Sequence, residues 1–252
     1  MKIVIVGGTG LIGKPLVQLL QDAGHDAVPA SPTTGVNTLT GEGVAAAFEN
    51  ADVVVDIPNS PSFEDGPVME FFQTSTKTIA EAARAAGVGH HVVLSIVGAD
   101  RMDDIGYMRA KIAQEEIVKV SGVPYTIVRA TQFFEFLAGI AEGTADSTTV
   151  RLSPALMQPV AAAEVSEVLA EAATKAPANS TWELGGPEAL PIVELGRRVL
   201  EKAGDSREIV TDPSVGYFGG NVDDTSLVTG QDPKLQHRLG TVTLEEWLQA
   251  QS

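Results

Sequence analysis

Tyr107 and Lys111 stand four residues apart in the run Tyr107-Met108-Arg109-Ala110-Lys111. Four residues is one helical turn, so on a helix the two side chains share a face. Upstream, Ser95 closes the apolar run that begins at His91. A hydroxyl, a phenol and an ammonium in that order suit a hydride-transfer site. The Lys111 ammonium would lower the Tyr107 phenol from its reference value of about 10. Tyr107 would then exchange a proton with a substrate oxygen, and Ser95 would hydrogen-bond the same oxygen. Taken alone, a Tyr/Lys pair is a common solvated helix face. Its weight here comes from chain order, because a glycine turn and a strand-end Ser precede it.

That turn is Gly7-Gly8-Thr9-Gly10-Leu11-Ile12-Gly13, which fits both G-x-G-x-x-G and G-x-x-G-x-x-G. Glycine lets the chain leave a strand sharply, approach a pyrophosphate with its backbone, and seat the next helix close to the sheet. The free N–H groups at that helix start then face the phosphates. The turn follows the β-branched run Lys2 to Val6 and opens an amphipathic stretch, which is the context the motif requires. Gly7, Thr9, Gly10, Leu11, Ile12 and Gly13 are therefore the expected cofactor-binding residues. A reader of NAD would carry Asp or Glu about 20 residues on, at the end of the second strand. This chain has Pro29-Ala30-Ser31-Pro32-Thr33-Thr34 there, with Asp26 at the opposite end of the run. Ser31, Thr33 and Thr34 could hydrogen-bond a 2′-phosphate, although no Arg or Lys sits among them. With no carboxylate to repel that phosphate, NADP(H) is favoured over NAD(H).

The elements that position these residues follow from periodicity. Strands are expected at Lys2 to Val6, His25 to Ala30, Ala51 to Ile57, His91 to Ser95 and Pro124 to Arg129. Helices are expected at Leu11 to Ala23, with an apolar face of Leu11, Leu16, Leu19, Leu20 and Ala23, and at Glu42 to Glu49, Val68 to Ala86 and Ile105 to Ser121. Gly24 and Gly87 stand where C′ residues would. Strands that alternate with helices and are continuously apolar predict an α/β fold, a doubly wound parallel sheet covered on both faces. Beyond Thr131 the rhythm loosens. Helices are expected at Phe133 to Ala141, Ala162 to Lys175, Leu190 to Ala203 and Leu244 to Ala250, with short strands around Val150 and at Trp182 to Leu184. The division read from this is a cofactor core at residues 1–130 and a small C-terminal α+β substrate lobe at 131–252, packed over the C-terminal edge of the sheet.

Composition narrows the partners. Of 252 residues, 44% are hydrophobic, enough for a sizeable core. Seventeen basic against 33 acidic residues give a net charge of −16, which disfavours nucleic acid and anionic membranes. No apolar run reaches membrane-helix length, and the opening run is too short for a signal-peptide core, so a cytoplasmic location is expected. Cysteine is absent, which removes thiolate chemistry. Only four His are present, and the adjacent His90 and His91 would point to opposite faces of a strand, so no metal is expected. Their plainer reading is a polar helix-to-strand turn.

Together these residues resemble the short-chain dehydrogenase/reductase superfamily, in its atypical NmrA-like NAD(P)-binding branch. The resemblance rests on Gly7, Gly10, Gly13, Ser95, Tyr107 and Lys111, and on Gly122-Val123-Pro124-Tyr125-Thr126-Ile127-Val128-Arg129. It continues in Gln158-Pro159-Val160 and in Glu183-Leu184-Gly185-Gly186-Pro187-Glu188. It implies a Rossmann core, a small substrate lobe, and NADP more often than NAD. It also implies that Asn59 and Ser60 face the cofactor's ribose, that Lys111 holds that ribose, and that Gln132, Phe133 and Phe134 wall the nicotinamide and substrate; the two Phe suit a core role equally well. Two departures stand out. Pro32 and Thr33 occupy the place of the branch's phosphate-reading Arg, and Thr74, Ser75 and Thr76 stand where many relatives carry a relay Asn.

The function expected is an NAD(P)H-dependent oxidoreductase passing hydride to a small carbonyl or quinone, with a homodimer possible in this superfamily. The alternative is a non-catalytic NmrA-like redox sensor that reports the cofactor's state to a partner. An epimerase or dehydratase that keeps its cofactor bound is a third, minor reading.

Overall fold

The apolar runs form strands and the periodic stretches form helices in the computed structural model of the chain, which describes residues 1–251. In order they are β1 (Lys2–Val6), α1 (Gly13–Asp22), β2 (Asp26–Ala30), α2 (Val44–Phe48), β3 (Val53–Asp56), α3 (Asp65–Ala86), β4 (His90–Ile96), α4 (Gly106–Val120) and β5 (Tyr125–Ala130). There follow α5 (Leu137–Glu142), β6 (Thr149–Leu152), β7 (Leu156–Met157), α6 (Ala162–Thr174), β8 (Ser180–Gly185), β9 (Leu190–Pro191), α7 (Ile192–Lys202), β10 (Glu208–Thr211), β11 (Gln236–Leu239) and α8 (Leu244–Ala250).

Seven strands make one sheet in the order β11-β8-β5-β4-β3-β1-β2. Val4 pairs Val28 on one side and Val54 on the other, and Val54 pairs His91, all in parallel register. The fold is Rossmann-like. Strand order reverses between β1 and β3, and such a switch point opens a crevice at the C-terminal strand ends. After β2 the chain makes a 3₁₀ turn, Pro32–Thr34, where a longer Rossmann sheet would continue outward. The stretch from Ser31 to Gly43 holds a proline and three glycines, which punctuate it too densely for another strand. Among the described residues no helix is long and apolar enough to cross a membrane.

Contacts divide the chain into two units that interleave. One comprises Met1–Ser95, Gly106–Arg129 and Ala163–Trp182; the other comprises Ile96–Ile105, Ala130–Ala162 and Glu183–Ser252. The core of the first gathers Val4, Val6, Phe48, Val54, Ile79 and Ala83 from strands and helices alike. Within it α1 departs from its expected face. Leu16 and Leu20 are buried, but Leu19 is 38% exposed and Leu11 47%. The helix begins only at Gly13, so Leu11 belongs to the turn, and 100° per residue carries Leu19 off the Leu16–Leu20 stripe. The stretch from Phe133 splits into a 3₁₀ turn, Phe134–Phe136, and α5, while Pro191 delays α7 to Ile192. In the second unit, β7 and β9 are two-residue strands, and β10 and β11 have four residues each, so none left a periodic signal.

Candidate active site

The glycine turn joins β1 to α1 at the sheet's switch point. Gly7 adopts φ +87° and donates its amide to Ala30 O at 2.8 Å. A Cβ on Gly13 would stand 2.3 Å from Gly7 O, so this glycine is required for α1 to meet the turn. Gly10 differs. A Cβ there would meet nothing nearer than Gly7 O at 3.3 Å, and the residue is exposed. The chain's own packing thus does little to demand glycine at 10, whereas a closely approaching pyrophosphate would. The amides of Leu11, Ile12 and Gly13 have no backbone acceptor among the described residues, and no side chain caps α1. Ser166 of α6 donates to Ile12 O at 3.0 Å and fixes the loop from beneath. Thr9 is half-buried within it. These features fit a bound dinucleotide.

Past β2, Ser31 is buried and enclosed in its own turn. Its amide donates to Thr34 Oγ1 at 2.9 Å, and its hydroxyl shares a proton with Thr33 Oγ1 at 2.8 Å. The three expected hydroxyls therefore do stand together, already bonded to one another.

Asn59 and Ser60 lie just beyond the C-terminal end of β3. Asn59 Oδ1 accepts two hydrogen bonds, from the Ser60 amide at 2.9 Å and from Tyr107 Oη at 2.6 Å. Ser60 is buried, and its Oγ accepts the Ser62 amide at 3.2 Å. Tyr107 sits in the first turn of α4, stacked on Phe63 at 5.5 Å and edge-on to Phe72 at 5.6 Å. Burial pushes the phenol above its ordinary range. This reverses the expected lowering by Lys111, whose ammonium makes no hydrogen bond to Tyr107.

Lys111 is instead turned inward. Its Nζ donates to Leu94 O at 2.8 Å and to Gln114 Oε1, and lies 4.3 Å from the centre of the Phe72 ring. Burial pushes its pKa down to about 8, against the opposing pull of Asp56 and Glu115. Ser95, buried near the end of β4, donates to Glu115 Oε1 at 2.7 Å. Glu115 in turn is held by Arg129 Nε and Nη2, each at 2.8 Å. A two-point guanidinium–carboxylate pair of this kind is rigid, and removing one partner would strand a buried charge. Gln114 Nε2 extends the network to Asp56 Oδ2 at 3.2 Å, with His91 Nε2 3.6 Å from the same oxygen. Ser95, Lys111 and Tyr107 thus come from adjoining elements, but no hydrogen bond joins Tyr107 to either.

Asn59 as the partner of Tyr107 has no local signal, being 48 residues away. Glu115 and Gln114 had one: they continue the Lys111 face by four and three residues. His90 and His91 are not a polar turn. Both are buried at the start of β4, and His90 Nε2 bonds Thr126 Oγ1 at 2.8 Å. Burial, followed by the charge of His91, lowers His90 to about 4.

In the second unit, Gln132 is buried, its backbone oxygen accepting the Val160 amide at 2.9 Å while its side-chain oxygen has no partner among the described residues. Phe133 is half-buried and stacks on Phe136 at 5.4 Å. Phe134 is buried against Trp247, with ring centres 5.6 Å apart.

Residues 7–176 match the family described as NAD(P)H-binding. The chain belongs to that family. NAD(P)H binding, which the glycine turn led one to expect, is the property that this family is described by. Among curated relatives of this NAD(P)H-binding protein is the (4-alkanoyl-5-oxo-2,5-dihydrofuran-3-yl)methyl phosphate reductase of Streptomyces griseus subsp. griseus. It is 30% identical over 207 residues, covering 75% of this chain and 69% of the relative. The photosystem II assembly factor Ycf39 of Cyanophora paradoxa is 25% identical over 153 residues, covering 55% of this chain. The match spans about half, 48%, of that factor's length. Among solved structures, the UDP-glucose 4-epimerase of Thermus thermophilus complexed with NAD shares the fold, with a TM-score of 0.71 at 19% identity, covering 89% of this chain and 91% of that one.

Proposed function

We propose that this chain is an NAD(P)H-dependent reductase in which Tyr107 delivers a proton to the oxygen of a small carbonyl or quinone substrate. The observation that carries this reading is the 2.6 Å bond from Tyr107 Oη to Asn59 Oδ1, beyond the end of a strand neighbouring the glycine turn. A phenol that burial keeps protonated is an acid, and Asn59 gives it a fixed direction. The S. griseus relative, a reductase by name, supports the reaction class.

Gly7, Thr9, Gly10, Leu11, Ile12 and Gly13 would hold the pyrophosphate, and Asn59 and Ser60 the adjoining ribose. Ser31, with no carboxylate beside it in the turn, favours NADP(H) over NAD(H). Bound NAD(P)H would supply hydride, to the carbon of a carbonyl or to one oxygen of a quinone. The Tyr107 proton would pass to the carbonyl oxygen, giving an alcohol, or to the remaining quinone oxygen, giving a hydroquinone, and water would reprotonate the phenolate. Ser95 and Lys111 serve at one remove in this reading. Ser95 grips Glu115 and Lys111 grips Leu94 O, so both hold α4 against β4 and fix where Tyr107 stands. The family resemblance assigns Gln132, Phe133 and Phe134 to the substrate side.

Calorimetric titration with NADPH, NADP⁺, NADH and NAD⁺, followed by a carbonyl and quinone screen, tests the reading in wild type and Tyr107→Phe. NADP forms are expected to bind at least about tenfold more tightly than NAD forms. The variant should keep its cofactor affinity and lose about 100-fold in turnover. Equal turnover would remove Tyr107 from the chemistry. Strong discrimination between oxidised and reduced cofactor without turnover would replace the reductase by the sensor.

A further inference from the structure

The second unit contains a cavity of about 270 Å³ walled by Ile140, Leu152, Ile192, Val215, Tyr217 and Phe218. No acidic, basic or histidine side chain lines it. A charged ligand would therefore lose its hydration there without gaining a counter-charge, and the net charge of −16 further disfavours an anion. Size sets the next limit. An apolar cavity of about 150 Å³ accepts benzene, so this one has room for one or two rings.

Its polar features are few. The Thr144 hydroxyl donates within the chain to Ala141 O at 3.2 Å. Ser153, also a lining residue and 3% exposed, accepts the Ala155 amide at 3.2 Å and keeps its own hydroxyl proton to give. An oxygen acceptor on the ligand would take it.

The aromatic wall is carried by a tight turn. Tyr217 and Gly220 exchange backbone hydrogen bonds of 2.9 and 3.1 Å. Gly216 is obligatory, since a Cβ there would stand 1.8 Å from Gly220 O. Asn221 ties the turn down through Asp104 Oδ2, by its amide at 2.7 Å and its side chain at 2.9 Å. Phe218 is held at φ +47°, a conformation unfavourable for a large side chain, and its ring is 59% exposed. Backbone strain that keeps an apolar ring at a cavity wall is a feature of ligand clamps.

We infer that this cavity is a binding site for a neutral compound of one or two aromatic rings bearing an oxygen acceptor. The inference stands on the cavity and is independent of the reductase reading.

The test is calorimetric titration of the full chain, without cofactor, with coumarin and with coumarin-3-carboxylate. Coumarin should bind, and the carboxylate should bind at least about tenfold more weakly. Val215→Trp, which fills the cavity, and Phe218→Ala, which removes the exposed wall, should each weaken coumarin binding about tenfold. Their NADPH affinity should equal that of wild type. Absence of coumarin binding to wild type, equal binding of the carboxylate, or unchanged coumarin binding by Phe218→Ala would each overturn the inference. Phe218→Ala decides if Val215→Trp does not fold, because the deleted ring is mostly exposed. Loss of NADPH binding in wild type would fail the reductase reading instead, and would leave the coumarin result intact.

Discussion

Asn59 Oδ1 accepts the hydrogen bond that the Tyr107 phenol donates, so its loss should change the acidity of the phenol as well as its aim. A bond donated by the phenol stabilises the protonated form. Asn59→Ala should therefore lower the Tyr107 pKa, with burial still holding it above the ordinary phenol range, and Asn59→Asp should push it higher by setting a carboxylate beside the phenolate. The alkaline limb of turnover and the titration of ¹³C-labelled Tyr107 should follow the order Asp, Asn, Ala from highest to lowest. The same midpoint in all three would show that Asn59 has no hold on the proton. His90 gives a prediction on stability. Its folded pKa of about 4 lies below the ordinary 6.5, so the unfolded chain binds its proton first as pH falls. Its stabilising contribution is whole above 6.5 and is lost between 6.5 and 4, roughly 3 kcal/mol in all. His90→Gln should flatten that part of the curve when melting temperatures of both proteins are compared across the window; parallel curves would refute the assignment. At this scale the sequence was readable where partners lie one helical turn apart, as with Tyr107 and Lys111. It was silent where they meet across the fold, as with Ser95, Glu115 and Arg129, because spacing carries no information about contacts between elements.

The glycine turn shows what an element asks of each residue. Gly13→Ala forces a Cβ to within 2.3 Å of Gly7 O, so α1 must shift. Stability should fall by about 1–3 kcal/mol, with loss of NADPH binding. Gly10→Ala meets only Gly7 O at 3.3 Å, a contact that a small shift relieves, and should lose less than about 1 kcal/mol of stability, yet bind NADPH at least about tenfold more weakly. Wild-type affinity in Gly10→Ala would mean that no phosphate passes over this residue. Elements with long apolar periodicity were legible to within a few residues: β1 from Lys2 to Val6, and α3 up to the stop at Gly87. The short strands of the second unit were not, since Leu156–Met157 and Leu190–Pro191 are too brief to show any period and exist only through pairing with each other.

For the molecule as a whole, the connectivity is the main constraint. The first unit takes in Ala163–Trp182, and α6 gives it Val165 and Leu169, both fully buried, together with the Ser166 bond to Ile12 O. A chain cut after residue 130 should therefore unfold without cooperativity and fail to bind NADPH, although it contains the whole glycine turn and Tyr107. A sharp melting transition and retained binding in that fragment would show that α6 is dispensable. The alternation of strand and helix made the sheet foreseeable, but the return of the chain to the first unit leaves no mark in composition or periodicity. The same return sets a schedule on the ribosome. Strand β5 is complete about 50 residues before β8, its neighbour in the sheet, has been made. At about 5–20 residues per second, the nascent protein exposes that unpaired strand edge for roughly 3–10 s in every round of translation.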